Sequence, residues 1–238
     1  MIAIELTDIT KVFSAGDFTA LDKVSLQILA GECVIIAGSN GSGKSVLMSI
    51  IAGLTQATSG TVTTMGRVGL VFQDADTQIL GETPEEDVLF SLKNLKIAKA
   101  ERNDIVHSAL KKTGLLKRKG FPSRFLSGGE KRRLATASIL AMNCPIVIFD
   151  EPFANLDYKG VCQVNELITM LKRENHTIVL LTHELEKCFS LADKFIVLHE
   201  GKKVFDGSAD SGLQENLEQW SIKNPICAYS EREDLLWI

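Results

Sequence analysis

Residues 33–54 read CVIIA-GSNGSGKS-VLMSIIAGL: a short apolar run, a loop of small residues with one lysine, then a longer apolar run. A strand can be apolar at every position only when both of its faces are covered, so CVIIA calls for a sheet with layers on each side. Gly38, Gly41 and Gly43 let the loop backbone curl until its N–H groups converge. The helix that follows adds its positive N-terminal end. Such a loop suits an anion with several oxygens, a phosphate chain first among them. In the pattern G-x-x-x-x-G-K-S, Lys44 reaches the β- and γ-phosphates and Ser45 offers its hydroxyl oxygen to Mg²⁺. Ser39, Asn40, Ser42 and Val46 complete the expected nucleotide contact. The alternative is a glycine-rich turn with an unrelated lysine, and the strand before it and helix after it speak against that.

Further buried-strand runs are VGLVF (68–72), IVIF (146–149), TIVLL (177–181) and KFIVL (194–198), separated by helical periodicity. That alternation predicts an α/β fold with a parallel central sheet. Before it, Ile2, Ile4 and Leu6, and later Val24, Leu26 and Ile28, alternate as half-buried antiparallel strands do. HEGKK (199–203) reads as a turn joining two closing strands. Residues 74–140 lack buried-strand runs and read as a mainly helical insertion. The chain is then one domain over 1–238, with an α/β core from 1–73 and 141–238. Within the insertion, Thr83 is the expected N-cap, Pro84 the first helical residue and Glu86 the closing member of a capping box. A helix over about 100–113 should end at Gly114. Val161, Val164, Leu167, Ile168 and Leu171 mark the apolar stripe of another.

A net charge of −4 on 238 residues gives no basic footprint, so no nucleic-acid partner is expected. Cys33, Cys144, Cys162, Cys188 and Cys227 are dispersed without a CxxC pair, which reads as reduced core thiols. MIAIELTDITK has no signal-peptide pattern, and no apolar run nears the ~20 residues of a membrane span. A cytosolic chain is expected, with any membrane role supplied by a partner. In the tail, Trp220, Ile226, Leu235, Leu236, Trp237 and Ile238 are expected to pack on their own domain, with contact to a partner ATPase as the alternative for DLLWI.

Two more stretches carry chemistry. IVIFDE places Asp150 at the end of a buried strand, where a carboxylate is costly unless it meets a cation or water. Beside the phosphate loop it can hold Mg²⁺ through water while Glu151 polarises an attacking water. A carboxylate pair capping a neighbouring helix is the plainer alternative. In FLSGGEKRRLATASILA (125–141), Ser127, Gly128 and Gly129 precede a run of helix formers, a second anion-binding helix start in one chain. A single nucleotide has no obvious need of two cradles in one subunit. Either each cradle completes a site on another subunit, or Ser127 merely caps a helix, which leaves the glycines unexplained.

GSNGSGKS, LSGGE, IVIFDE, FANLD and the histidine of LLTHE stand in the order and spacing of the ATP-binding subunits of ABC transporters, and the chain resembles that family over nearly its whole length. The resemblance implies the ABC ATPase fold: a P-loop NTPase core with an antiparallel β subdomain and an inserted helical subdomain. It also implies two subunits sandwiching two ATP molecules with Mg²⁺, each ATP held by one phosphate loop and the other subunit's Ser127, Gly128 and Gly129. Phe13 then stacks on adenine, and Gln73 contacts Mg²⁺ and the attacking water. Asp157 lies in the loop crossing the dimer interface, and His183 contacts the γ-phosphate. Catalysis falls to Glu151, His183 and Gln73, and the metal to Ser45, Gln73 and Asp150. VFQDADTQILGETPEEDVLF is similar to the energy-coupling-factor ATPases of vitamin and metal-ion importers, through Gln78 and the acidic Glu85-Glu86-Asp87. Asp74 and Ala75 depart from the Asn-Pro usual there, Val46 from a threonine, Glu130 from the commoner glutamine, and Phe153 and Asn155 from the usual interface loop. The partners implied are a second ATPase subunit, an integral membrane coupling protein and a substrate-binding membrane component, with this chain on the cytoplasmic face of the membrane. An ABC-type ATPase serving an iron–sulfur cluster scaffold shares the size and the SGGEK signature and is the alternative.

Overall fold

The computed structural model describes residues 1–13 and 18–226. β1 (Ile2–Phe13) and β2 (Phe18–Leu29) pair antiparallel, and β4 (Ser59–Thr64) closes the other edge of β1. The larger sheet runs β5 (Val68–Val71), β6 (Ile146–Asp150), β7 (Thr177–Leu181), β3 (Cys33–Ala37), β8 (Lys194–His199), β9 (Lys202–Ser208). Its first five strands are parallel, and β9 returns antiparallel through a turn at Glu200–Gly201.

The continuous apolar runs are explained by two cores. Cys33, Ile35, Val147 and Phe149 face the side covered by α4 (Gly128–Ala141) and α5 (Tyr158–Arg173). Their neighbours Val34, Ile36, Ile146 and Ile148 face the side closed by the three-stranded sheet and α1 (Lys44–Ile51). Each such side chain contributes about 1.5–3 kcal/mol on burial. Burial pushes the Cys33 thiol up to about 12, so it is a protonated core filler. Among the described residues all cysteines are free.

A third core joins Val88 and Leu92 of α2 (Pro84–Asn94) to Val106 and Leu110 of α3 (Lys99–Lys112) and to Leu134 and Ala137 of α4. α4 serves both sides, because its Ala135 and Ile139 belong to the sheet core. The α5 stripe is buried as its periodicity predicts, with Val161 partly covered. α3 ends where expected, with Gly114 at φ +71°.

Three details differ from expectation. Ile2 is 41% exposed, because a register shift between Ile2 and Ile4 turns Ala3 into the core instead. β4, with the sequence SGTVTT, is an exposed edge strand with no alternation to announce it. At Thr83 the side chain accepts from Glu86 N at 3.3 Å, yet the reciprocal half of a capping box forms at Ser127–Glu130 instead. In the tail, Leu217 and Ile222 are buried in the sheet core, and Trp220 packs on Phe205 with ring centroids 6.4 Å apart. A short α6 (Ala209–Gly212) leads into this stretch. Ile226 is exposed, while Cys227, Leu235, Leu236, Trp237 and Ile238 lie outside the described residues.

Candidate active site

The phosphate loop is held by close backbone packing. Gly43 has φ +101°, and a Cβ there would lie 2.6 Å from Ala20 O on β2. At Gly38 a Cβ would lie 2.3 Å from Leu198 O on β8 and 2.4 Å from Ser42 Oγ. Any larger residue at either position would displace the loop from its sheet. Lys44 is buried, and its Nζ donates to Gly38 O at 2.6 Å and Ser39 O at 3.2 Å. Burial lowers its pKa, while the charges of Glu151 and Asp150 push it back up. Ser42 Oγ is buried with no partner among the described residues. An unpartnered hydroxyl, a lysine resting on its own loop and a wall of small residues fit a polyphosphate chain.

Strand order brings the remaining groups to this loop. β7 lies between β3 and β6, and Asp150 is in register with Leu181. His183, two residues past Leu181, therefore meets Glu151: Nδ1 and Oε1 are 3.0 Å apart. Glu151 is 8% exposed and adopts φ +44°, a conformation costing about 1–3 kcal/mol for a residue with a side chain. Two backbone bonds hold it there, Glu151 N to Leu181 O at 2.8 Å and Ala154 N to Glu151 O at 3.2 Å. Its Oε2 has no partner among the described residues. Burial, then the charge of Glu151, raises the pKa of Asp150, and Lys44 opposes them.

One pocket of about 340 Å³ is lined by residues 40–46, Gln73, Glu151 and His183, together with Phe18 and Ala20. It thus gathers Asn40, Gly41, Ser42, Gly43, Lys44, Ser45 and Val46 with the three expected catalytic side chains. Gly38, Ser39 and Asp150 are not among its lining residues, although Gly38 and Ser39 hold Lys44 through their carbonyls. Phe13 is 42% exposed and outside the lining, beneath the ammonium of Lys11 at 5.1 Å. Phe18, its cross-strand partner, is the aromatic that lines the pocket. A second aromatic five residues on, at the start of the pairing strand, was the available signal.

Ser127, Gly128, Gly129 and Asp157 lie elsewhere, in a pocket of about 450 Å³ with Glu130, Asn155 and Gln163. The two pockets share no lining residue. Ser127 and Glu130 form a reciprocal capping box, and Asp157 caps α5 by accepting from Gly160 N at 2.7 Å. Sequence reasoning missed Arg132 and took Asp87 only as one of an acidic run. Asp87 is no surface acid: its buried carboxylate accepts from Leu80 N, Gly81 N and Ser138 Oγ. Arg132 is buried and donates to the carbonyls of Gln73 and Ala154.

The chain matches the ABC transporter family over residues 21–154. It is 38% identical over 218 residues to the energy-coupling factor transporter ATP-binding protein EcfA1 of Mycoplasma mobile, covering 86% of this chain and 79% of that one. It is 36% identical over 228 residues to EcfA2 of Thermotoga maritima, covering 89% and 85%. The structure of cbiO1 from Clostridium perfringens, described as part of the ABC transporter complex cbiONQ, superposes with a TM-score of 0.82. Identity there is 30%, with 90% of this chain and 91% of that one covered. The family match takes in the phosphate loop, Ser127–Gly129 and the Asp150–Glu151 strand end, and the chain belongs to the ABC transporter family as one of its ATPases.

Proposed function

We propose that this chain is the ATP-hydrolysing motor of a membrane importer of the energy-coupling-factor type, working as one half of a head-to-tail pair. The observation that carries the pairing is the separation of the two cradles. The phosphate-loop pocket holds Lys44, Glu151 and His183, while Ser127, Gly128, Gly129 and Asp157 line a different pocket of the same chain. A second subunit, a copy or a related chain, brings its Ser127 cradle over this phosphate loop and receives the same in return.

In this reading the loop backbone and Lys44 bind the phosphates of ATP, with Lys44 Nζ moving from the carbonyls of Gly38 and Ser39 to the phosphate oxygens. Glu151 takes a proton from the attacking water as its oxygen bonds to the γ-phosphorus and the bond to ADP breaks. His183 holds Oε1, which leaves Oε2 as the acceptor facing the pocket. Gln73 orients the water, and Phe18 or Phe13 covers the adenine. Ser45, Gln73 and Asp150 are oxygen donors of the kind a hard dication takes, so they fit Mg²⁺. The metal supplies neutralisation of charge on the phosphates.

Coupling is assigned to the groove of about 470 Å³ lined by Asp76, Ile79–Thr83 and Pro122–Arg124. Leu80 and Phe125 are 67% and 64% exposed in this region, an apolar edge suited to a segment of an integral membrane protein. Among the described residues no helix is long and apolar enough to cross a membrane. The proposed place is therefore peripheral, on the cytoplasmic face, beside a coupling protein and a substrate-binding component. The helical segment 74–140 is taken as the part that moves on the core, and the solute class as a vitamin or transition-metal ion, as the resemblance of VFQDADTQILGETPEEDVLF to the energy-coupling-factor ATPases implies. Service to an iron–sulfur scaffold is not favoured, since the relatives are named as transporter ATPases.

The deciding test of the chemistry is Glu151→Gln, which is expected to keep ATP binding and lose about 10²–10⁴-fold in turnover. Hydrolysis near the parent rate would overturn the role of Glu151. Gentle detergent solubilisation of the tagged chain should co-purify integral membrane proteins. Recovery of a soluble scaffold alone would overturn the transporter reading and leave the ATP chemistry in place.

A further inference from the structure

Arg132 is 4% exposed, an unusual place for a guanidinium. It projects from the first turns of α4, five residues after Ser127, into the gap between two loops that belong to different parts of the fold. Its Nη2 donates to Gln73 O at 3.1 Å, where the chain leaves β5. The same nitrogen donates to Ala154 O at 2.7 Å, in the turn after β6. Burial lowers its pKa, and the charges of Asp74 and Glu184 oppose this only in part. Its Nε has no partner among the described residues, so the whole polar engagement runs through the end of the guanidinium.

These bonds continue into the catalytic pocket. Ala154 N donates to Glu151 O at 3.2 Å, and Glu151 Oε1 lies 3.0 Å from His183 Nδ1. Gln73, Arg132, Ala154, Glu151 and His183 are therefore one hydrogen-bonded chain. Arg132 is its member on α4, the helix whose N-terminus forms the second cradle. Arg132 Nη2 is the donor shared by the two carbonyls. Bonds to a charged donor in a buried setting are stronger than neutral ones and are costly to break one at a time.

We propose that Arg132 is a positioning residue for hydrolysis: it sets the backbone of Gln73 and of the Glu151–Ala154 turn in register with α4, so that a movement of α4 is felt by both groups that act on water. This rests on the roles of Gln73 and Glu151 given above. Arg132 itself is not among the lining residues of the phosphate-loop pocket.

The test is steady-state ATP hydrolysis by the full chain, with equilibrium binding of a fluorescent ATP analogue and thermal unfolding measured in parallel. Arg132→Met keeps the length of the stem and removes every donor. It is expected to lower kcat by about 10–100-fold with KM and analogue binding within about threefold of the parent. Arg132→Gln keeps an NH₂ group at reduced reach and should recover part of kcat. Should Arg132→Met fail to fold, Arg132→Gln alone carries the comparison. A purely structural residue would lower stability without a kcat-specific loss, and its effect would multiply with others. Here, in a Gln73→Ala background, Arg132→Met is expected to cost far less than it does alone, because part of what it positions is already gone. Undiminished kcat in Arg132→Met, or equal losses in both backgrounds, would overturn the proposal. If Glu151→Gln and Gln73→Ala lose turnover while Arg132→Met does not, only the strut fails. If Glu151→Gln is fully active, the reading of the pocket fails first.

Discussion

At the level of single residues, the site is a set of costs held in place by neighbours. Asp150 shows this in its titration. Burial and the charge of Glu151 put its folded-state pKa above the ordinary 3.8, with Lys44 opposing. The folded chain then keeps a proton that the unfolded chain has released. Stability owed to this group is present below pH 3.8 and is lost as pH rises through the folded-state value. Asp150→Asn removes that dependence. It is expected to raise Tm of the nucleotide-free chain at neutral pH by about 2 °C or more, and to abolish Mg²⁺-dependent hydrolysis. Thermal unfolding of both proteins from pH 3 to 8 checks it; parallel curves would show that the burial of Asp150 costs nothing. Lys44, Asp150 and Glu151 were legible because their motifs print them beside strand ends. Arg132 was not, and Asp87 was legible only as one of an acidic run, since what each bonds lies in carbonyls, N–H groups and a Ser138 hydroxyl that the local pattern does not encode.

Elements carry the next constraint, where strand meets helix. Gly69, in the middle of β5, lies under α4, and a Cβ there would sit 2.3 Å from Ile139 Cγ2. Its φ is not among the positive values, so the restriction is space and not backbone conformation. Gly69→Ala is expected to destabilise the chain by about 1–3 kcal/mol through overpacking. Ile139→Val in the same protein keeps both Cγ2 and Cγ1 and should not rescue it, whereas Ile139→Ala removes both clashing atoms and should recover part of the loss, offset by the cavity it leaves; urea titration distinguishes them. The buried strands themselves were readable because both faces of CVIIA, IVIF and TIVLL are covered, which leaves them apolar except for Thr177, whose buried hydroxyl accepts from Gly31 N. β4 was unreadable for the opposite reason: an exposed Ser/Thr edge satisfies its pairing with β1 through the backbone and imposes nothing on the side chains. The misassigned Ile2 belongs with it, since a bulge resets the alternation and leaves no mark in composition.

Across the whole molecule, two phosphate-type cradles that share no residue pose a question that one chain cannot answer alone. The paired reading makes a prediction that a self-contained site does not. Ser127→Arg fills the second pocket and leaves residues 40–46 untouched, so it is expected to bind nucleotide and hydrolyse none. Part of any loss of stability comes from the capping box, about 1 kcal/mol, and Ser127→Ala isolates that share. Lys44→Ala has the opposite defect, an intact second cradle and a disabled phosphate loop. If the working unit is a symmetric pair of copies, mixing the two dead proteins creates pairs with one complete site. Random assortment places half the chains in mixed pairs with one of two sites intact, so about one quarter of the parent activity should return. A site completed within one chain regains nothing on mixing, and a pair with a related second chain regains activity only when that chain is added. Hydrolysis measured against the mixing ratio therefore separates all three arrangements, because only the first gives a maximum at equal proportions.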